Sequence, residues 1–95
     1  MNQPVNQSTS EKPLIEFPTH FPIKAFGEHH DRFKNAVTQI IELHVETIHI
    51  IEWREQPSKG GNYCAITITV VAQSQQQLDA IYMDLTDCEH VTMAL

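Results

Sequence analysis

The sequence predicts an α+β domain of the ferredoxin-like type, βαββαβ, in which two helices cover one face of a four-stranded antiparallel sheet. Three observations predict it. Ser58–Ala72 (SKGGNYCAITITVVA) opens with a turn and runs into the strongest alternation in the chain. Two segments, His30–His44 and Ser74–Asp87, carry apolar residues at three- and four-residue steps. Three further short segments, Phe21–Gly27, Thr47–Arg54 and Val91–Leu95, have strand character and fall around the helices in split βαβ order.

Met1–Lys12 is polar, lacks periodicity and contains a proline, so residues 1–12 are expected to be a disordered tail and residues 13–95 the single domain. Pro13–Pro22 holds Leu14, Ile15, Phe17 and Phe21 among three prolines. It is expected to be an extended lead-in that lays Phe17 on the body. In Phe21–Gly27, the residues Phe21, Ile23 and Ala25 share one face, Lys24 and Phe26 share the other, and Gly27 ends the strand. The first helix presents Phe33, Ala36, Val37, Ile40, Ile41 and His44 as its buried stripe.

Thr47–Arg54 (TIHIIEWR) is rich in β-branched residues, but its alternation breaks at Ile50–Ile51. Either the strand is apolar on both faces or a bulge re-phases it. In the third strand Cys64, Ile66, Ile68 and Val70 form a fully apolar row, opposite a row of small or half-polar residues. That pattern suits a central strand with one face in the core. Ser74 and Gln77 have capping-box spacing, with the Gln77 amide expected to reach back to the Ser74 N–H. Leu78, Ile81, Tyr82 and Leu85 follow as the second buried stripe. Val91, Met93 and Leu95 are expected on one face of the last strand.

The formal charge of −6 over 95 residues argues against electrostatic attraction to nucleic acid or to anionic lipid. No apolar run approaches the length of a membrane helix, and no signal peptide is recognisable. Cys64 and Cys88 lie far apart and suggest no disulfide framework, so a reduced cytoplasmic protein is expected.

Right-handed crossovers place the first and third strands at the centre of such a sheet. Three connections then meet at one end: Gly27–His30, Glu55–Asn62 and Thr86–His90. Glu28, His29, His30, Lys59, Cys88, Glu89 and His90 are gathered there, which makes this loop end the expected place for a ligand. Gly27, Glu28, His29, His30, Lys59, Gly60, Gly61 and Asn62 are the candidate binding residues. Lys59, the glycine N–H groups and the start of the first helix offer donors to an anion. Adjacent histidines rarely converge on one ion, and no pair has a familiar ligand spacing, so neither a metal nor a cofactor is implied. The alternative is a small enzyme or metal-binding protein using Glu28, His29, His30, Cys88 and His90. Nothing orients Cys88 toward a base, and Cys64 falls on the core row, so catalysis is not expected.

The stretches EFPTHFPIKAFG (Glu16–Gly27) and SKGGNY (Ser58–Tyr63), with the strand–helix–strand end, resemble the YbeD-like family of small bacterial proteins. The likeness covers Leu14–Leu95 and is most specific at Phe17–Pro18, Lys24, Gly27, Ser58–Lys59–Gly60 and Asn62–Tyr63. The chain departs from that family in a second glycine, Gly61, which lengthens the turn. The resemblance implies a ferredoxin-like fold similar to the ACT-type regulatory domains, and no catalytic residues. ACT-like domains pair through their sheets and hold an effector near the first strand–helix loop, here Phe26–His30. The expected function is therefore a non-catalytic regulatory or adaptor domain that binds a small anionic metabolite or a partner protein. The uncovered sheet face and the edge strands further predict a homodimer.

Overall fold

The computed structural model describes residues 15–95. The element order is β1 (Thr19–Glu28), α1 (Asp31–His44), β2 (Ile50–Pro57), β3 (Tyr63–Ala72), α2 (Gln75–Asp87) and β4 (Met93–Ala94). The four strands form one antiparallel sheet in the order β2-β3-β1-β4, so β1 and β3 are central as the crossover rule requires. The expected tail, residues 1–12, lies outside the described residues.

The core lies between one face of the sheet and the two helices. The β3 row Cys64, Ile66, Ile68, Val70 and Ala72 is fully buried, together with Ile23 and Ala25 of β1. Phe33, Val37 and Ile41 come down from α1, and Leu78, Ile81 and Leu85 from α2. Ile40, expected at the centre of the first stripe, is only half-buried. The buried line runs through Phe33, Val37 and Ile41 at four-residue steps, which puts Ile40 on its flank. Phe17 packs against the core as the lead-in reading expects.

β1 begins earlier than expected and includes Pro22. The register explains why a proline is tolerated in a central strand. Lys24 and Phe26 exchange backbone hydrogen bonds with the β4 side, through Leu95 and Thr92. Pro22, two residues earlier, turns its nitrogen to that same side, where β4 offers no partner among the described residues.

The second strand corrects the expected boundaries. Thr47–His49 is a single 3₁₀ turn, closed by His49 N–H donating to the Glu46 carbonyl at 2.8 Å. The strand proper runs from Ile50 into Pro57. A bulge settles the broken alternation: Ile50 pairs with Val70, Glu52 with Thr69, and Ile51 is the extra residue, 49% exposed. Trp53 then pairs with Ile68 and packs half-buried against the core at the sheet edge.

The last strand is also corrected. Only Met93–Ala94 pairs as strand, against Phe26 and Ala25. Val91 precedes it in a turn whose N–H donates to the Cys88 carbonyl at 3.1 Å, and it plugs the core. Met93 pairs with Phe26 on the uncovered face and is exposed, as is Leu95 opposite Lys24, so the three residues do not share a buried row.

Ser74 caps α2 as expected, its hydroxyl accepting from Gln77 N–H at 3.1 Å. The Gln77 side chain goes elsewhere. Its oxygen accepts from Gln73 N–H at 2.7 Å, and its Nε2 donates to the His44 carbonyl at 2.7 Å. A second link joins the helices, with His44 Nε2 2.6 Å from Asp84 Oδ2. His44 is thus a satisfied histidine beside the core. His49, expected in a strand, lies half-buried in the 3₁₀ turn. No helix among the described residues is long and apolar enough to cross a membrane.

Candidate functional site at the loop end

The three connections meet at one end of the sheet, and the β1–α1 loop lies between the other two. On one side it is tied to the β2–β3 hairpin. His29 N–H donates to the Asn62 carbonyl at 2.9 Å, and the His29 ring meets the Gly61 carbonyl through Nδ1 at 3.2 Å. That ring nitrogen must carry the proton, since a carbonyl can only accept. The hairpin is closed by its own bonds. Gly61 N–H donates to the Ser58 carbonyl at 2.9 Å, and Ser58 Oγ accepts from Tyr63 N–H at 3.1 Å. Gly61 sits at φ 82°, the left-handed region that glycine enters without a Cβ penalty. Lys59 and Gly60 are exposed at the tip.

On the other side the β1–α1 loop packs against the α2–β4 connection. Gly27 is buried there, between the Phe33 ring and the His90 carbonyl. Thr92 N–H donates to the Phe26 carbonyl at 2.7 Å. Between the two segments lies a cleft of about 190 Å³, lined by Glu28, His30, Arg32, Phe33, Glu89, His90 and Thr92. His30 is the N-cap of α1: its Nδ1 accepts from Arg32 N–H at 3.1 Å, and its carbonyl accepts from Phe33 N–H at 3.1 Å. One ring nitrogen of His30 is therefore committed to the helix.

The structure thus divides the predicted residues into two groups. His29 joins Gly61 and Asn62 at the hairpin, with Lys59 and Gly60 beyond them. Glu28 and His30 face the cleft with Glu89 and His90. Cys88 caps the end of α2 and packs half-buried on the core, outside the cleft lining. Arg32 is the residue that sequence reading passed over. Its signal was its place in the first turn after the capping histidine. Among the described residues no three His, Cys, Asp or Glu side chains gather to hold a metal ion. Glu28, His29, His30, Cys88 and His90 therefore do not converge as a ligand set.

An antiparallel β2-β3-β1-β4 sheet under two helices, with its polar loops drawn together at one end, defines a ferredoxin-like α+β domain. Solved structures agree on that fold. Protein HP0495 from H. pylori superposes with a TM-score of 0.77 at 15% identity, covering 98% of each chain. The ACT domain from the GTP pyrophosphokinase of Chlorobium tepidum gives a TM-score of 0.64 at 16% identity, covering 81% of this chain and 97% of that one. In sequence, a UPF0250 protein of Chromobacterium violaceum is 41% identical over 88 residues, 93% of this chain and 99% of that protein. A UPF0250 protein of Neisseria gonorrhoeae is 36% identical over 91 residues, 96% of this chain and all of that protein. The profile of the family described as "Protein of unknown function (DUF493)" matches residues 12–95. The chain belongs to this family, that of the UPF0250 or YbeD-like proteins that the sequence resembles.

Proposed function

We propose that this protein is a non-catalytic regulatory or adaptor domain of the cytoplasm, acting by binding a small anionic metabolite or a partner protein at its loop end. One observation carries the reading. The β1–α1 loop is fastened on one side to the hairpin and packed on the other around an open cleft, so the chain's own hydrogen bonds hold a polar surface in shape. The fold likeness to an ACT domain of an enzyme supports a module that works beside catalysis. Arg32 at the cleft and Lys59 at the hairpin tip are the cations that would meet an anionic group, with Gly60 exposed beside Lys59.

The test is affinity capture of the tagged protein from its own cells, followed by calorimetry of the captured compound or protein. Lys59→Ala is expected to weaken that binding by about 1–3 kcal/mol, the size of a lost charge-assisted hydrogen bond, with the fold intact. Equal affinities would remove Lys59 from the site, and turnover of a captured compound would replace the reading with an enzyme. A second copy of the chain is one candidate partner. Sedimentation velocity showing only monomer at high protein concentration would remove it.

A further inference from the structure

The sheet face opposite the helices carries an arrangement that the loop-end reading does not use. The register aligns Lys24 of β1, Thr67 of β3 and Arg54 of β2 in one row across the sheet. All three project from the uncovered face, because their strand neighbours Ile23, Ala25, Ile66 and Ile68 are buried on the other. Two strand spacings separate the Cα atoms of Lys24 and Arg54 by about 10 Å, with Thr67 midway. Side chains of that length can both reach an anion lying over Thr67. The surface there is a shallow concavity of about 490 Å³, lined by Lys24, Arg54, Glu55, Gln56, Ala65 and Thr67.

The charges in this concavity are unusual for so acidic a chain. The protein has six Lys and Arg against twelve Asp and Glu, yet two of the six stand in this one row. Glu55 is the one carboxylate in the lining, and it is engaged at the sheet edge. Lys34 Nζ lies 3.3 Å from it, and Trp53 Nε1 donates to it at 3.2 Å. Glu52 meets the Arg54 guanidinium at Nε, 3.4 Å away. A guanidinium has five N–H donors, so that contact leaves most of its capacity unused. Lys24 lies over the Phe26 ring, 5.9 Å from its centroid, and enters no ion pair among the described residues. Phe26 and Ala65, paired in the next row, give an apolar floor for the carbon part of a ligand.

We infer that this row is a binding site for the oxyanion of a small molecule, a carboxylate or a phosphate. Lys24 and Arg54 hold the anion from either side, the Thr67 hydroxyl donates from beneath, and the Gln56 amide closes the rim. The site goes beyond the loop-end reading and stands or falls apart from it, since Lys24, Thr67 and Arg54, which hold the anion, all lie on the sheet face and none belongs to the loop end.

The experiment uses the full chain, labelled with ¹⁵N and titrated separately with citrate and with inorganic phosphate, while sodium chloride holds ionic strength constant. Saturable amide shifts centred on Lys24, Thr67 and Arg54 are expected from one or both anions, and which of them binds distinguishes carboxylate from phosphate. Lys24→Gln and Arg54→Gln should each weaken the binding about tenfold or more, with the rest of the spectrum unchanged as the check on folding. Arg54→Lys serves if Arg54→Gln fails to fold. No saturable shift from either anion at tens of millimolar would overturn the assignment. So would shifts confined to the loop end, binding of a hexaglutamate peptide but of neither small anion, or a face-to-face dimer that buries Lys24 and Arg54.

Discussion

Gly27→Ala should be among the most damaging single-methyl changes in this protein. Gly27 is buried near the end of β1, where the chain turns toward α1. A Cβ there would lie 2.4 Å from Phe33 Cδ1, 2.7 Å from Phe33 Cε1 and 2.6 Å from the His90 carbonyl oxygen. Ordinary contacts between carbon atoms are about 3.5–4.0 Å, so the overlap is roughly 1 Å with each. Neither neighbour can yield cheaply. The Phe33 ring is locked in the core, and the carbonyl is backbone of the α2–β4 connection. Relief requires α1 or that connection to move. Overpacking of a tight site costs about 1–3 kcal/mol, and three simultaneous overlaps place this one at the upper end. A loss of about 3 kcal/mol lowers the melting midpoint of a domain this size by about 10–25 °C. Thermal and urea unfolding followed by circular dichroism measure it. Gly60→Ala is the control: the nearest atom to its added Cβ is Asn62 Nδ2 at 4.0 Å, so the change should stay within about 0.5 kcal/mol of wild type. The reasoning fails if Gly27→Ala matches wild type, or if the two substitutions cost the same.

Ile41→Ala, at a fully buried position, should cost about 2–5 kcal/mol in urea unfolding, and half-buried Ile40→Ala clearly less; equal losses would contradict the helix orientation. Burial raises the pKa of the Tyr82 phenol above its ordinary 10.0, and its hydroxyl donates to the Leu95 carbonyl at 2.7 Å. The folded state holds this proton more tightly than the unfolded chain, so its contribution is complete below about pH 10 and is lost as pH rises through the folded value. Tyr82→Phe should cost about 0.5–1 kcal/mol at neutral pH, and its gap from wild type should narrow above pH 10; a constant gap would rule out the linkage.

The elements most legible in the sequence were those whose periodicity is local. The alternation from Cys64 identified a central strand with its buried row, and the steps Phe33, Val37, Ile41 and Leu78, Ile81, Leu85 identified two helical faces. Strand order and the meeting of three loops then followed from handedness alone. What sequence left open depended on pairing. Two adjacent isoleucines fit a bulge and a two-faced strand equally well, and only the partners Val70 and Thr69 decide between them. VTMAL alternates like a strand, yet a turn at Cys88–Val91 spends its first residues in entering the core. The division of the loop end was likewise hidden, since it rests on one histidine bonding to a hairpin 32 residues away. The Lys24–Thr67–Arg54 row was illegible for the same reason, because it exists only once three strands are in register.

The two proposed surfaces differ in how they could hold an anion. At the loop end the α1 N-terminus is already well used. His30 takes the Arg32 N–H through its ring and the Phe33 N–H through its carbonyl, and Asp31 supplies negative charge to the first turn. The helix dipole is therefore largely answered from within the chain. The cleft beside it sets Arg32 against two carboxylates, Glu28 and Glu89. An anion bound at this end would have to rely on a side-chain cation, Arg32 or Lys59, rather than on the helix terminus. A partner offering both donors and acceptors would meet complementary groups across the same cleft. On the uncovered face the balance is reversed: two cations flank a hydroxyl, and the one carboxylate of the lining is held by Lys34.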